Sequence, residues 1–153
     1  MIERVRAILL TPANTMLVIK RTKPGIAPYR VLPGGHADEN DSSLDAALHR
    51  EIREELAGDA KVLRLLYVLQ RDTERQYFYL ARIRRWSFAD RTGPEFKEAG
   101  RGRYELEEVP VTAEAVAALD LKPREIVTVI ADALQHEGGL FALPDLRETG
   151  RTT

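Results

Sequence analysis

The sequence has no cysteine among its 153 residues. Disulfide staples, thiolate metal sites and cysteine nucleophiles are excluded, and the absence fits a cytoplasmic protein. It also lacks an excess of charge of either sign. Its 23 lysines and arginines stand against 24 aspartates and glutamates, a formal net charge of −1. That balance gives no global pull toward nucleic acid or an anionic membrane. No apolar run approaches the roughly 18 residues needed to span a bilayer. The first ten residues carry Glu3, Arg4 and Arg6 among apolar neighbours. Such alternation reads as a strand, not a signal peptide.

What is present suits an ordinary globule. With 44% hydrophobic and 31% charged residues, the chain can bury one core in one domain. Residues 1–144 are expected to form that domain, and the polar residues 145–153 to fray. Residues 2–10 alternate as a strand, Thr11 to Asn14 reads as a turn, and Met16 to Lys20 as a second strand completing a hairpin. Lys23 to Pro28, with two prolines, reads as a loop. A short extended piece, Tyr29 to Leu32, leads into Pro33-Gly34-Gly35. Ser42 or Ser43 can cap a helix that starts near Leu44, reaches about Ala57 and stops at Gly58. Val62 to Gln70 and Gln76 to Trp86 form a long hairpin, and Ser87 to Gly102 a glycine-bearing loop expected to be mobile. Arg103 to Val109 is another strand. Residues 113–119 are a short helix, and Pro123 opens a helix reaching about His136. Strands and helices mixed in this order predict an α/β domain.

One helix conflicts with its own pattern. At 100° per residue from Leu44, the apolar side chains Ala47, Leu48, Ile52 and Leu56 spread from about 300° round to about 120°. Glu51 falls near 340° and Glu55 near 20°, inside that apolar arc, and Glu54 at its edge near 280°. Carboxylates aimed at a core lose hydration, and Glu51 and Glu55 repel each other across one turn. Near the C-terminal end, the helix dipole opposes them as well. Arg50, beside them on the helix, can supply one positive charge. A hard divalent cation, Mg²⁺ or Mn²⁺, would supply more. The plainer reading also stands at this point: Arg-Glu-Ile-Arg-Glu-Glu-Leu is a common surface helix, solvated and without a ligand.

The loop before the helix carries Gly34-Gly35, which lets backbone approach a ligand closely. Asp38, Glu39 and Asp41 follow it. Each can orient Arg50, add a ligand or be solvated.

Gly35 to Gly58, GHADENDSSLDAALHREIREELAG, resembles the Nudix box. Arg50-Glu51-Ile52-Arg53-Glu54-Glu55 matches the second half of that signature without a gap, and Leu32-Pro33-Gly34-Gly35 its usual approach. Two departures stand out. The distance from Gly35 to Arg50 is one residue longer than the signature, so the upstream box glutamate corresponds to Asp41 or, by strict counting, to Ser42. Ala57 occupies the box glycine position, with Gly58 next to it.

The resemblance implies an α/β/α sandwich with a mixed sheet between helices. It implies Glu51, Glu54 and Glu55, with the Gly35 carbonyl, as ligands of Mg²⁺ or Mn²⁺, and Glu51 or Glu54 as general base. Arg50 would orient the acids. The activity implied is metal-dependent hydrolysis of a phosphoanhydride in a nucleoside diphosphate derivative or nucleoside triphosphate. The expected partner is that small molecule, with no nucleic acid and no membrane, and the chain is compatible with a homodimer. The usual ADP-ribose mark, a proline near residue 74, is missing, while Tyr77 lies in the broad region of a dinucleoside-polyphosphate mark.

Three other readings compete. One is a non-catalytic nucleotide sensor on the same fold. Another is a diphosphate isomerase, whose usual cysteine is absent. The third is an interaction domain with an acidic helix. His36, His49 and His136 read as polar bystanders, and Tyr77, Phe78, Tyr79 and Trp86 as core packing before base stacking. Lys20, Arg21, Lys23 and Arg30 flank the glycine loop and are candidates for phosphate contact.

Overall fold

The computed structural model describes residues 1–91 and 102–149. Most of the expected loop from Ser87 to Gly102 therefore lies outside the described residues. The expected elements appear in order. Strand β1 is Ile2–Leu10, β2 Thr15–Lys23, β3 Ile26–Val31 and β4 Gly34–His36. Helix α1, Leu44–Leu56, is followed by the hairpin of β5, Ala60–Arg71, and β6, Glu74–Ile83. Strand β7 is Arg103–Pro110, α2 Ala113–Ala117, β8 Leu121–Lys122, α3 Arg124–Leu134 and α4 Leu146–Thr149.

The mixed sheet opens at a corner. β1 and β2 pair only at Leu10 and Met16, beside the turn. The hairpin expected there exists only at its tip. Beyond it β1 runs parallel to β6 on one edge and pairs with β4 on the other, Arg4 opposite His36 and Arg6 opposite Gly34. β2 instead pairs with β7 and β3. The result is two half-sheets, β5-β6-β1-β4 and β7-β2-β3-β8, which part beyond the corner. The second strand is also longer than expected. Pro24 and Gly25 alone make the turn, with Gly25 at φ 78°, and β3 takes in Pro28.

Each face of the sheet meets helices, because each strand alternates. Val5, Ala7 and Leu9 of β1 pack with Ala47, Leu48, Ile52 and Leu56 of α1. Ile8, on the opposite face, joins Phe78, Leu80, Ile126, Val127 and Ile130 around α3. Burying a leucine or isoleucine of this kind contributes about 1.5–3 kcal/mol, enough to hold α1 firmly on the sheet. Tyr79 and Phe78 are core side chains, 1% and 0% exposed.

The fraying expected from residue 145 is not seen over the described part. The Asp145 carboxylate is buried, accepting the Leu65 N–H at 3.0 Å and holding Arg147. Arg147 in turn reaches Asp45 on α1 at 2.8 Å and the Leu63 carbonyl at 3.0 Å. The polar composition of this tail serves ion pairing against the domain. Among the described residues, no single helix is long and apolar enough to cross a membrane.

Candidate active site

Helix α1 begins where Ser43 accepts the Ala46 N–H at 3.0 Å. Just upstream the loop folds on its own carboxylates: Asp41 accepts the Asp38 N–H at 2.9 Å and Asp38 accepts the Asn40 N–H at 2.8 Å. That turn aims Asp41 at Arg50. The Arg50 Nε and Nη2 donate to the two Asp41 oxygens, each at 2.9 Å. Nη2 also donates to the His36 carbonyl at 2.9 Å, and Nη1 to Glu51 at 3.2 Å and Glu54 at 3.3 Å. Arg50 thus ties loop, β4 and two helix carboxylates into one unit. Its hydrogen bond to Asp41 raises its pKa above the ordinary arginine value and holds the Asp41 carboxyl below the usual carboxylate range.

Glu51 and Glu55 are 7% and 6% exposed, on the inward face where the helical wheel puts them. Glu55 Oε1 accepts the Gly34 N–H at 2.7 Å. Close backbone approach requires the first glycine of the preceding pair, and the second leaves room for the Glu51 carboxylate. A Cβ on Gly34, at φ 141°, would lie 1.9 Å from the Val5 carbonyl oxygen; one on Gly35 would lie 2.6 Å from Glu51 Oε1.

The irregular end of the box has a physical explanation. Ala57 takes the left-handed C-cap conformation itself, φ 49°, a conformation that costs a non-glycine residue about 1–2 kcal/mol. Gly58 is needed for space, since its Cβ would meet the Arg85 carbonyl oxygen at 2.4 Å. Upstream, Ser43 caps the helix and Asp41 pairs with Arg50.

These groups line a cleft of about 670 Å³ where the half-sheets part. Its lining takes in Gly34, Gly35, Arg50, Glu51, Glu54 and Glu55 together with Arg4, Arg6, Ile19, Arg21, Val31 and Tyr104. Arg21 stacks on the Tyr104 ring at 4.2 Å. Of the basic residues flanking the glycine loop, only Arg21 lines this cleft; Arg30 is ion-paired with Glu107 at 2.6 Å. Tyr77 bonds Glu3 at 2.7 Å. His36 lines the cleft, and burial and nearby Arg4 lower its pKa.

Arg4, Arg6 and Tyr104 are absent from the sequence candidates. A signal for the first two exists: they occupy the strand face that Ile8 and Leu10 otherwise make apolar. Tyr104 arrives through the pairing of β7 with β2, opposite Arg21, which no local pattern reveals.

The acids suit a hard divalent cation in donor chemistry, offering only carboxylate and carbonyl oxygens. Among the described residues, no three acidic or histidine side chains converge as ready-made ligands. Glu55 uses Oε1 to accept from Gly34 and Glu54 uses Oε2 to accept from Arg50, and a carboxylate keeps a second oxygen that could hold a cation.

The NUDIX domain family matches residues 1–130. The chain belongs to the Nudix hydrolase family. Solved structures of this family share its fold. The Escherichia coli ORF135 protein aligns at TM-score 0.59 and 23% identity, over 88% of both chains. A MutT structure from work on Aliivibrio salmonicida and Vibrio cholerae aligns at 0.57 and 16%, over 86% of this chain and 97% of that one. An ADP-ribose pyrophosphatase from Streptococcus suis aligns at 0.58 and 17%, over 90% and 95%. At these identities the likeness is one of fold. Among curated proteins, nothing matches. The family match spans the segment from Gly35 to Gly58, where Asp41 meets Arg50.

Proposed function

We propose that this Nudix protein hydrolyses a phosphoanhydride bond in a nucleoside diphosphate derivative or nucleoside triphosphate, with Mg²⁺ or Mn²⁺ held by Glu51, Glu54, Glu55 and the Gly35 carbonyl. The observation that carries the reading is the pair of buried carboxylates, Glu51 and Glu55, packed against the Gly34–Gly35 backbone in a cleft also lined by Arg4, Arg6 and Arg21. Buried acids without compensation are costly. A divalent ion bound there neutralises phosphate charge and acidifies a water.

The chain's own groups account for the remaining tasks. Arg50 fixes the side chains of Glu51 and Glu54 through a single nitrogen. One of these two carboxylates receives the proton of the attacking water, as general bases within hydrogen-bond reach do. The water oxygen bonds to phosphorus, and the bridging oxygen leaves with the departing phosphate. The arginines lining the cleft offset charge on the phosphate oxygens. The substrate class is supported by the cleft's size and arginines, and by relatives named MutT and ADP-ribose pyrophosphatase.

The test is a panel of nucleotide anhydrides with Mg²⁺ or Mn²⁺, with and without chelator. Turnover should require the metal, and Glu54→Gln or Glu55→Gln should lower it at least a hundredfold without unfolding the protein. Hydrolysis by Glu54→Gln at the wild-type rate would sink the assignment. Saturable nucleotide binding without turnover would identify a sensor instead.

A further inference from the structure

Arg6 is a mostly covered arginine whose charge no acid neutralises at close range. It lies on β1 opposite Gly34 and lines the cleft. Its Nη1 donates to the Leu32 carbonyl at 3.2 Å and to the Gly34 carbonyl at 3.1 Å. These acceptors anchor the guanidinium against the glycine loop. They are neutral, so the positive charge remains. Among the described residues, no carboxylate lies within ion-pair distance of Arg6. Its neighbour Arg4, by contrast, has Glu74 at 2.7 Å. Glu55 and Glu51 act on Arg6 only through space.

A guanidinium has five N–H donors in a fixed fork. With Nη1 committed to carbonyls, the Nε and Nη2 edge has no hydrogen-bond partner among the described residues, and neither atom is a sealed, unsatisfied donor. That edge is open to the cleft. A desolvated cation with spare donors facing a cavity is matched by an anion with several oxygens, and phosphate is such an anion.

We propose that Arg6 is a phosphate-binding residue. Its fork, anchored through Nη1 on the glycine loop, donates through Nε and Nη2 to the diphosphate of the substrate, beside the α1 carboxylate Glu55, which holds the same glycine. The proposal rests on reading the cleft as a diphosphate site. It adds a contact that lies outside the box and on a different strand. Because Arg6 and Glu55 both bond Gly34, the contact also fixes where the phosphates lie relative to the acids.

The experiment is calorimetric titration of the full chain with inorganic pyrophosphate and Mg²⁺. It compares wild type, Arg6→Gln and Arg6→Lys, with melting temperatures measured in parallel. Arg6→Gln should bind pyrophosphate at least tenfold more weakly. Arg6→Lys, which keeps the charge but loses the fork, should fall between the two. A purely structural arginine would lower the melting temperature and leave pyrophosphate affinity unchanged, and that result overturns the proposal. If Arg6→Gln does not fold, the wild-type chain decides. The Arg6 Nε–H resonance, assigned with the lysine variant, should shift on saturation with pyrophosphate. An unmoved resonance at saturation, or no pyrophosphate binding by wild type at millimolar concentration, also overturns it. Arg6-dependent binding without hydrolysis of any anhydride would leave this contact standing while refuting the hydrolase reading. Hydrolysis with Arg6-independent binding would do the reverse.

Discussion

Replacing Asp41 by asparagine tests whether the loop acid holds the site together. Asp41 accepts two charge-assisted hydrogen bonds from Arg50, each at 2.9 Å, and its side chain is only 9% exposed. Asparagine keeps the shape but offers one acceptor, and turns an amide donor toward the guanidinium. The loss is then about one charge-assisted hydrogen bond and one close ion pair, about 2–3 kcal/mol. It should stay below the larger cost of stranding a buried charge, since Arg50 keeps Glu51, Glu54 and the His36 carbonyl. The effect should depend on pH with a definite sign. Arg50 holds the Asp41 carboxyl below its ordinary range, so its stabilisation is complete above the unfolded-state value of about 3.9 and fades as pH falls through the lower, folded-state value. Urea unfolding of wild type and Asp41→Asn should show a gap of about 2–3 kcal/mol at pH 7 that closes in acid. A gap under about 0.5 kcal/mol at pH 7, or one that persists undiminished to about pH 2, would refute the assignment of Asp41 as the partner of Arg50.

Ala57→Gly should raise stability by about 0.5–1 kcal/mol in urea unfolding, because it relieves a left-handed alanine at some cost in unfolded-chain entropy. Gly34→Ala should fail to fold or lose more than about 3 kcal/mol, since its Cβ would collide with the Val5 carbonyl at a φ that alanine resists; circular dichroism and melting decide. Asp145→Asn should lower the melting temperature at pH 7, and the difference should shrink as pH approaches the Asp145 pKa, pulled down to about 2 chiefly by Arg147.

The sequence was most informative where local pattern and chemistry coincide. The wheel of α1 identified Glu51 and Glu55 as inward acids because helix periodicity alone fixes their direction. It left the anchor of Arg50 open among Asp38, Glu39 and Asp41, because Asp41 meets Arg50 only once the loop folds on Asp38 and Asn40. Arg6 escaped for a related reason. Its environment is set by the pairing of β1 with β4, which joins residues far apart in the chain. The strand from Ile26 was read as loop because Pro24 and Pro28 weigh against strands. In the fold, the first of these sits in a tight turn beside Gly25 and the second near a register shift of the pairing with β2. The tail from Asp145 was read as frayed from polarity alone; its charges are matched by Asp45 and the backbone of β5, which composition does not disclose.

Net charge averages over the chain and is silent on local fields. A chain at −1 gives no hint of a strong local field. Yet the cleft gathers Glu51, Glu54 and Glu55 with Arg4, Arg6 and Arg21. Charges of both signs gathered in a partly desolvated cleft act on one another and on a bound ion more strongly than in bulk water. On the proposed function, a charged diphosphate would meet donors in the arginines and repulsion from the acids until a cation intervened. Substrate binding and cation binding would then support each other, since each would supply the charge that the other needs.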